Sequence, residues 1–135
     1  MNRKIIAAAS IIAIAAIVIS VTSDSALDES IISQTIFVDG VYEPKNKIVR
    51  ITYNDNSEMT NLITLEVLGM EKSFHKEFSQ SSFVEIIEIN SEPKYGWSTT
   101  PIVFSINHDE FGKIGLKTEI YEQGESKPRI IYSRI

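Results

Sequence analysis

The stretch Lys113-Ile114-Gly115-Leu116-Lys117-Thr118-Glu119-Ile120-Tyr121 decides the fold class of this chain. Ile114, Leu116, Thr118 and Ile120 occupy every second position, and Gly115, Lys117, Glu119 and Tyr121 lie between them. Successive side chains of an extended backbone point to opposite faces. The segment therefore offers one face to a core and one to water, as an antiparallel sheet covered on one side requires.

The same period recurs outward from this point. Val49, Ile51 and Tyr53 alternate with Ile48, Arg50 and Thr52. Ile102, Phe104 and Ile106 do so after Pro101, a residue tolerated at the first position of a strand. Further strands are expected over 33–38, 61–68, 73–79, 83–89 and 129–135. Around the third of these runs Met70, Phe74 and Phe78 also stand four apart, the spacing of a short helix; strand is the preferred reading. The pieces between carry turn chemistry: Asp39-Gly40, Glu43-Pro44-Lys45-Asn46, Asn54-Asp55-Asn56-Ser57, Glu92-Pro93-Lys94 and Asn107-His108-Asp109. Seven to eight short strands at this spacing indicate an all-β sandwich or small barrel over residues 31–135.

At the C-terminal end, Ile102–Ile106 is followed by His108-Asp109-Glu110-Phe111-Gly112, Lys113–Glu122, a turn at Gly124 and Pro128–Ile135. This order resembles strands E, F and G of an immunoglobulin-like or fibronectin-type-III-like sandwich, with Asp109–Gly112 as the turn into strand F. The resemblance covers about 35 residues and concerns fold alone. Ile114 and Leu116 stand where the corner Tyr of those domains is sought, and the chain has no Cys for an inter-sheet disulfide. The resemblance implies an antiparallel sandwich serving as a binding or spacer module.

Ahead of these strands lies Ile5–Val21, with seven Ile, six Ala, two Val and two Ser behind Arg3 and Lys4. Seventeen such residues as a helix would measure about 25 Å, close to the hydrocarbon thickness of a bilayer. Residues 1–21 are accordingly expected to form one transmembrane or signal helix, and 22–30 a polar linker. By the positive-inside rule the N-terminus is cytoplasmic and the rest of the chain extracytoplasmic, or secreted if the segment is cleaved. A pilin-type signal fits poorly, because no Gly precedes Ile5 and no acidic residue opens the apolar run.

Beyond Val21 eleven basic residues face eighteen acidic ones, a net of −7, which argues against nucleic acid and anionic headgroups as partners. With no Cys, thiolate metal sites are excluded. His75 is out of phase with Phe74 and Phe78 and is expected at the surface; His108 is expected in a surface turn. No Gly-x-Ser-x-Gly elbow and no glycine-rich phosphate loop occurs. Asn54–Glu58 is oxygen-rich, but Met59 and Leu65 occupy the places where a calcium loop needs Gly and an acid, so it reads as a polar hairpin turn. Glu85 and Glu88 fall on opposite faces of an extended strand and form no carboxylate pair. Neither catalytic residues, a metal site nor a cofactor is expected.

The most distinctive loop is Glu92–Pro101, where the only Trp of the chain stands near Tyr95 between two prolines. Tyr95 and Trp97 are the expected partner contacts, since aromatic rings on a restrained loop give large contact area at modest entropic cost. The functional expectation is a membrane-anchored, non-catalytic module at the cell surface that binds a protein or glycan. The alternative is an accessory or structural subunit of a surface machine, a layout similar to archaellum stator-type subunits. A secreted enzyme or metal binder ranks below both.

Overall fold

The computed structural model describes residues 27–70 and 72–135. A short helix, α1 (Glu29–Thr35), precedes nine strands: β1 (Ile36–Glu43), β2 (Ile48–Asp55), β3 (Thr60–Val67), β4 (Phe74–Phe78), β5 (Ser82–Glu88), β6 (Pro101–His108), β7 (Gly112–Glu119), β8 (Tyr121–Glu122) and β9 (Ile131–Arg134). Four strands form one sheet in the order β5-β2-β1-β8, and five form the other in the order β4-β3-β6-β7-β9. All pairs are antiparallel except β1 with β8.

The alternation read from the sequence places the core. Val49, Ile51 and Tyr53 of β2 face Ile63, Leu65 and Val67 of β3, Ile102, Phe104 and Ile106 of β6, and Ile114 and Leu116 of β7, all at 1% exposure or less. Aliphatic side chains from two inner faces interdigitate to form the interior of a sandwich. Tyr53 lies between the rings of Phe83 and Phe104, at centroid distances of 5.4 and 6.0 Å.

Several expectations need correction. The expected helix over residues 1–21 lies outside the described residues, and no helix among the described residues is long and apolar enough to cross a membrane. The sandwich is instead entered through α1, in place of the end of a polar linker and the start of a strand at Ser33. The Asp28 carboxylate accepts from the Ile31 N–H at 3.2 Å, and Glu29 adds a negative charge in the first turn. Ile32 and Ile36, four apart, then bury together at that end of the core. Strands β6, β7 and β9 lie side by side in one sheet. The assignment of these segments to E, F and G therefore fails, because E belongs to the sheet opposite F and G.

Asp39-Gly40 is the middle of β1 and makes no turn. Gly40 faces the opposite sheet, and the Ile102 Cδ1 methyl fills the place where a Cβ would stand. A glycine inside a strand marks such a close approach. The neighbouring strand β8 pairs with β1 at Val41 and Tyr42; burial first, and the nearby Asp39 carboxylate second, push the Tyr121 phenol up to about 12.

Gly40→Ala should cost about 1–3 kcal/mol by overpacking. Urea denaturation should show the loss, and Ile102→Val, which removes the offending methyl, should recover part of it in the double variant. Full stability of Gly40→Ala alone would show that the sheets separate freely there.

Candidate functional site

Two places concentrate polar and aromatic chemistry, one at each end of the sandwich. The first is built by the segment between β5 and β6. Gly96, at φ 90°, turns the chain after Pro93, and its N–H donates to the Pro93 carbonyl at 3.1 Å. A single 3-10 turn over Trp97–Thr99 follows, closed by the Thr100 N–H donating to the Trp97 carbonyl at 3.0 Å. The Thr99 hydroxyl donates to the Gly96 carbonyl at 2.7 Å.

This turn lays Trp97 against Tyr42 of β1, with centroids 4.6 Å apart and planes 35° from parallel. Trp97 is thus half-buried against the core, while Tyr95 is 76% exposed. Burial comes first, and the hydrogen-bonded Glu92 carboxylate second, in raising the Tyr42 phenol above its ordinary value. Trp97 therefore holds this tyrosine from the loop, with the Glu92 carboxylate near its hydroxyl. Beneath them is a cleft of about 390 Å³ whose walls include Tyr95, Trp97, Met70, Ser91 and Thr99. Gly69, at φ 79°, keeps the β3–β4 connection close on the other side: the Thr99 carbonyl oxygen occupies the position of its missing Cβ. The Lys94 ammonium lies 5.6 Å from the Tyr95 ring centre.

The second place is a buried polar knot at the opposite end. Asp55 closes β2, Thr60 opens β3 and His108 closes β6. Asp55 Oδ1 accepts from the Ser57 N–H at 2.9 Å and the Ser57 hydroxyl at 2.6 Å. Its Oδ2 accepts from the Met59 N–H at 3.1 Å, the Thr60 hydroxyl at 2.6 Å and His108 Nε2 at 3.0 Å. The His108 Nδ1 accepts from the Glu110 and Phe111 N–H groups at 3.1 and 3.2 Å. With Nδ1 an acceptor twice over, the ring proton sits on Nε2 and is donated to Asp55.

The expectation of His108 in a surface turn is corrected here; the polar turn expected over Asn54–Glu58 is present, but it links strands of different sheets in place of a hairpin and its Asp55 is buried. The side chains of Asp55 and His108 have no solvent exposure. A bulge in the pairing of β3 with β6 between Thr60 and Leu62 restores Thr60 to the inner face, where it meets Asp55. Glu58 takes φ 56° to bring the Met59 N–H back to the carboxylate.

Asp, His and Ser meet in this knot, yet their geometry is not that of a nucleophile and base. Ser57 and His108 both direct donors at one carboxylate, and the imidazole nitrogen nearest Ser57 already carries the proton. The carboxylate is spent on protein donors, and among the described residues no group of three His, Cys, Asp or Glu is placed to hold a metal ion. His75 is exposed on β4, 3.7 Å from Glu66. Glu85 points inward to Lys76 at 3.2 Å, and Glu88 points outward.

Burial alone would raise the pKa of Asp55, but hydrogen bonds from Ser57 and Thr60, with His108 alongside, more than offset it and hold the carboxyl below its ordinary 3.8. A lowered folded value contributes stability that is complete above the unfolded value and is lost as pH falls through the folded one. Asp55→Asn should therefore lose about 2–4 kcal/mol at pH 7 and show a flatter decline of stability below about pH 4. Denaturant titrations at several pH values read both effects. Trp97→Ala should cost about 2–3 kcal/mol, less than truncating a fully buried ring, while Tyr95→Ala should stay within about 0.5 kcal/mol of wild type. Equal melting temperatures for the two variants would contradict the division of roles. No protein-family model, no curated protein and no solved structure matches this chain, so the reading of these two places rests on their geometry.

Proposed function

We propose that this chain is a non-catalytic binding module held at the outer side of a membrane, with the cleft at Tyr95 and Trp97 as its contact surface. The observation that carries the reading is the position of that cleft at the end of the sandwich away from α1. Strand β1 runs from Ile36, beside α1, to Glu43, next to the Tyr42–Trp97 contact. Eight residues at about 3.3 Å each put roughly 25 Å between the ends. With the apolar segment 5–21 as anchor or signal and Arg3 and Lys4 kept inside, residues 22–28 reach at most about 25 Å. The contact surface then faces away from the lipid. The acidic balance beyond Val21 agrees with a solvated surface that neither nucleic acid nor anionic lipid attracts.

The connectivity supports an immunoglobulin-like reading in which β6 and β7 take the places of F and G. The orders β5-β2-β1 and β4-β3-β6-β7 correspond to E-B-A and C′-C-F-G, with β8 and β9 as additions. Folds of this kind present loops at the ends of the sheets for recognition. A structural subunit of a surface assembly is the second reading, favoured by edge strand β5, whose Val84 and Ile86 are 53% and 50% exposed on the outer face.

Expression of the full chain followed by fractionation tests the first reading. The protein, or its processed form, should appear in the membrane or outside the cell, with the domain open to added protease in intact cells. Recovery of full-length material among cytosolic solubles would refute the placement. For the second reading, Val84→Lys should dissolve any oligomer seen by native mass measurement and leave the melting temperature unchanged.

A further inference from the structure

We propose that the cleft at Tyr95 and Trp97 takes a short neutral saccharide, an inference that rests on the binding-module reading above and names its ligand class. The lining joins ring faces to hydrogen-bonding edges. Tyr95 and Trp97 supply the rings, Ser91 and Thr99 hydroxyls, and Glu92 and Lys94 one charge of each sign. A pyranose has the matching character, with a C–H face to lie on an aromatic ring and hydroxyls around its rim. One carboxylate and one ammonium leave the lining without net charge. At about 390 Å³ the cleft is within the range of small-molecule sites.

The backbone of the loop distinguishes a saccharide from an extended peptide. Peptides that add to a sheet need a row of unpaired N–H and C=O groups. Here the Pro93, Gly96 and Trp97 carbonyls already accept from Gly96, Thr99 and Thr100 within the loop. Recognition is left to side chains. The Trp97 ring is also immobilised before any ligand arrives, by Tyr42 on one side and the 3-10 turn beneath it. A ring fixed in advance loses little freedom on binding.

Because Trp97 is the only tryptophan of the chain, its fluorescence reports on this cleft alone. The full chain, in a detergent without a sugar headgroup, is titrated with maltotriose, cellotriose, chitotriose and, separately, a decaproline peptide. At least one saccharide should shift the emission saturably in the millimolar range or below. Tyr95→Ala should weaken that binding by roughly tenfold or more at an unchanged melting temperature. Silence toward every saccharide with a saturable response to decaproline would overturn the saccharide assignment and leave the binding-module reading standing. Silence toward all four ligands, or saccharide binding indifferent to Tyr95→Ala, would overturn the assignment as well. The fractionation experiment decides the membrane placement independently of these results.

Discussion

The Asp55 carboxylate is the constraint on which the sandwich depends, because it joins the two sheets where aliphatic packing runs out. Asp55 ends β2 of one sheet; Thr60 and His108 belong to the paired strands β3 and β6 of the other. A carboxylate with no solvent exposure is costly unless its lone pairs are filled. Five protein donors fill them here, two from backbone and three from side chains. Each donor also fixes something else. The Ser57 and Met59 N–H groups set the β2–β3 turn, Thr60 carries on to the Tyr53 hydroxyl at 2.8 Å, and His108 orders the β6–β7 turn through Nδ1. The knot therefore specifies register at this end, where a one-residue slip would turn every core residue outward.

With one end closed by hydrogen bonds, the other is free to carry a longer connection. The chain between β5 and β6 is the longest link among the described strands of the sandwich, and it is ordered by its own turns and by Tyr42. The loop edges are also managed. Phe78 stacks on Phe83 at 3.7 Å, and Lys76 meets the inward Glu85, so edge strands β4 and β5, on one side of the sandwich, close over each other along their inner sides. A charge pointing inward at an edge discourages further strands from adding there. The outer face of β5, with Val84 and Ile86, stays apolar and open.

Much of this architecture was legible in residue order, and the errors have physical causes. Period-two alternation located β2, β6 and β7 because each carries a run of aliphatic residues in one phase. The same phase, extended by one step, already pointed to the knot. Asp55 follows Val49, Ile51 and Tyr53 at even spacing, and His108 follows Ile102, Phe104 and Ile106. Both read locally as turns, because polar residues beside Asn usually signal one. Their pairing across 53 positions involves a partner that local pattern does not reveal. Gly40 misled for a similar reason. Asp-Gly is strong turn chemistry, whereas its use here depends on Ile102 in the other sheet. The helix α1 was hidden by its brevity: seven residues contain two turns and one buried contact, too little for periodicity to register.

The two aromatic residues singled out from the sequence lie together at one cleft but do different work, and the difference explains how stability and recognition can share a loop. Trp97 gives one part of its ring to Tyr42 and the core, so changing it disturbs folding as well as contact. Tyr95, two residues earlier and beyond the Gly96 turn, makes no comparable commitment and keeps most of its surface in water. Folding thus covers the entropy of ordering the loop through Trp97 and the turn bonds around Gly96, before any partner is present. What remains for binding is the exposed ring and the polar rim beside it. A surface ordered in this way can select a ligand by shape with few contacts, because little of their free energy is consumed in arranging the protein.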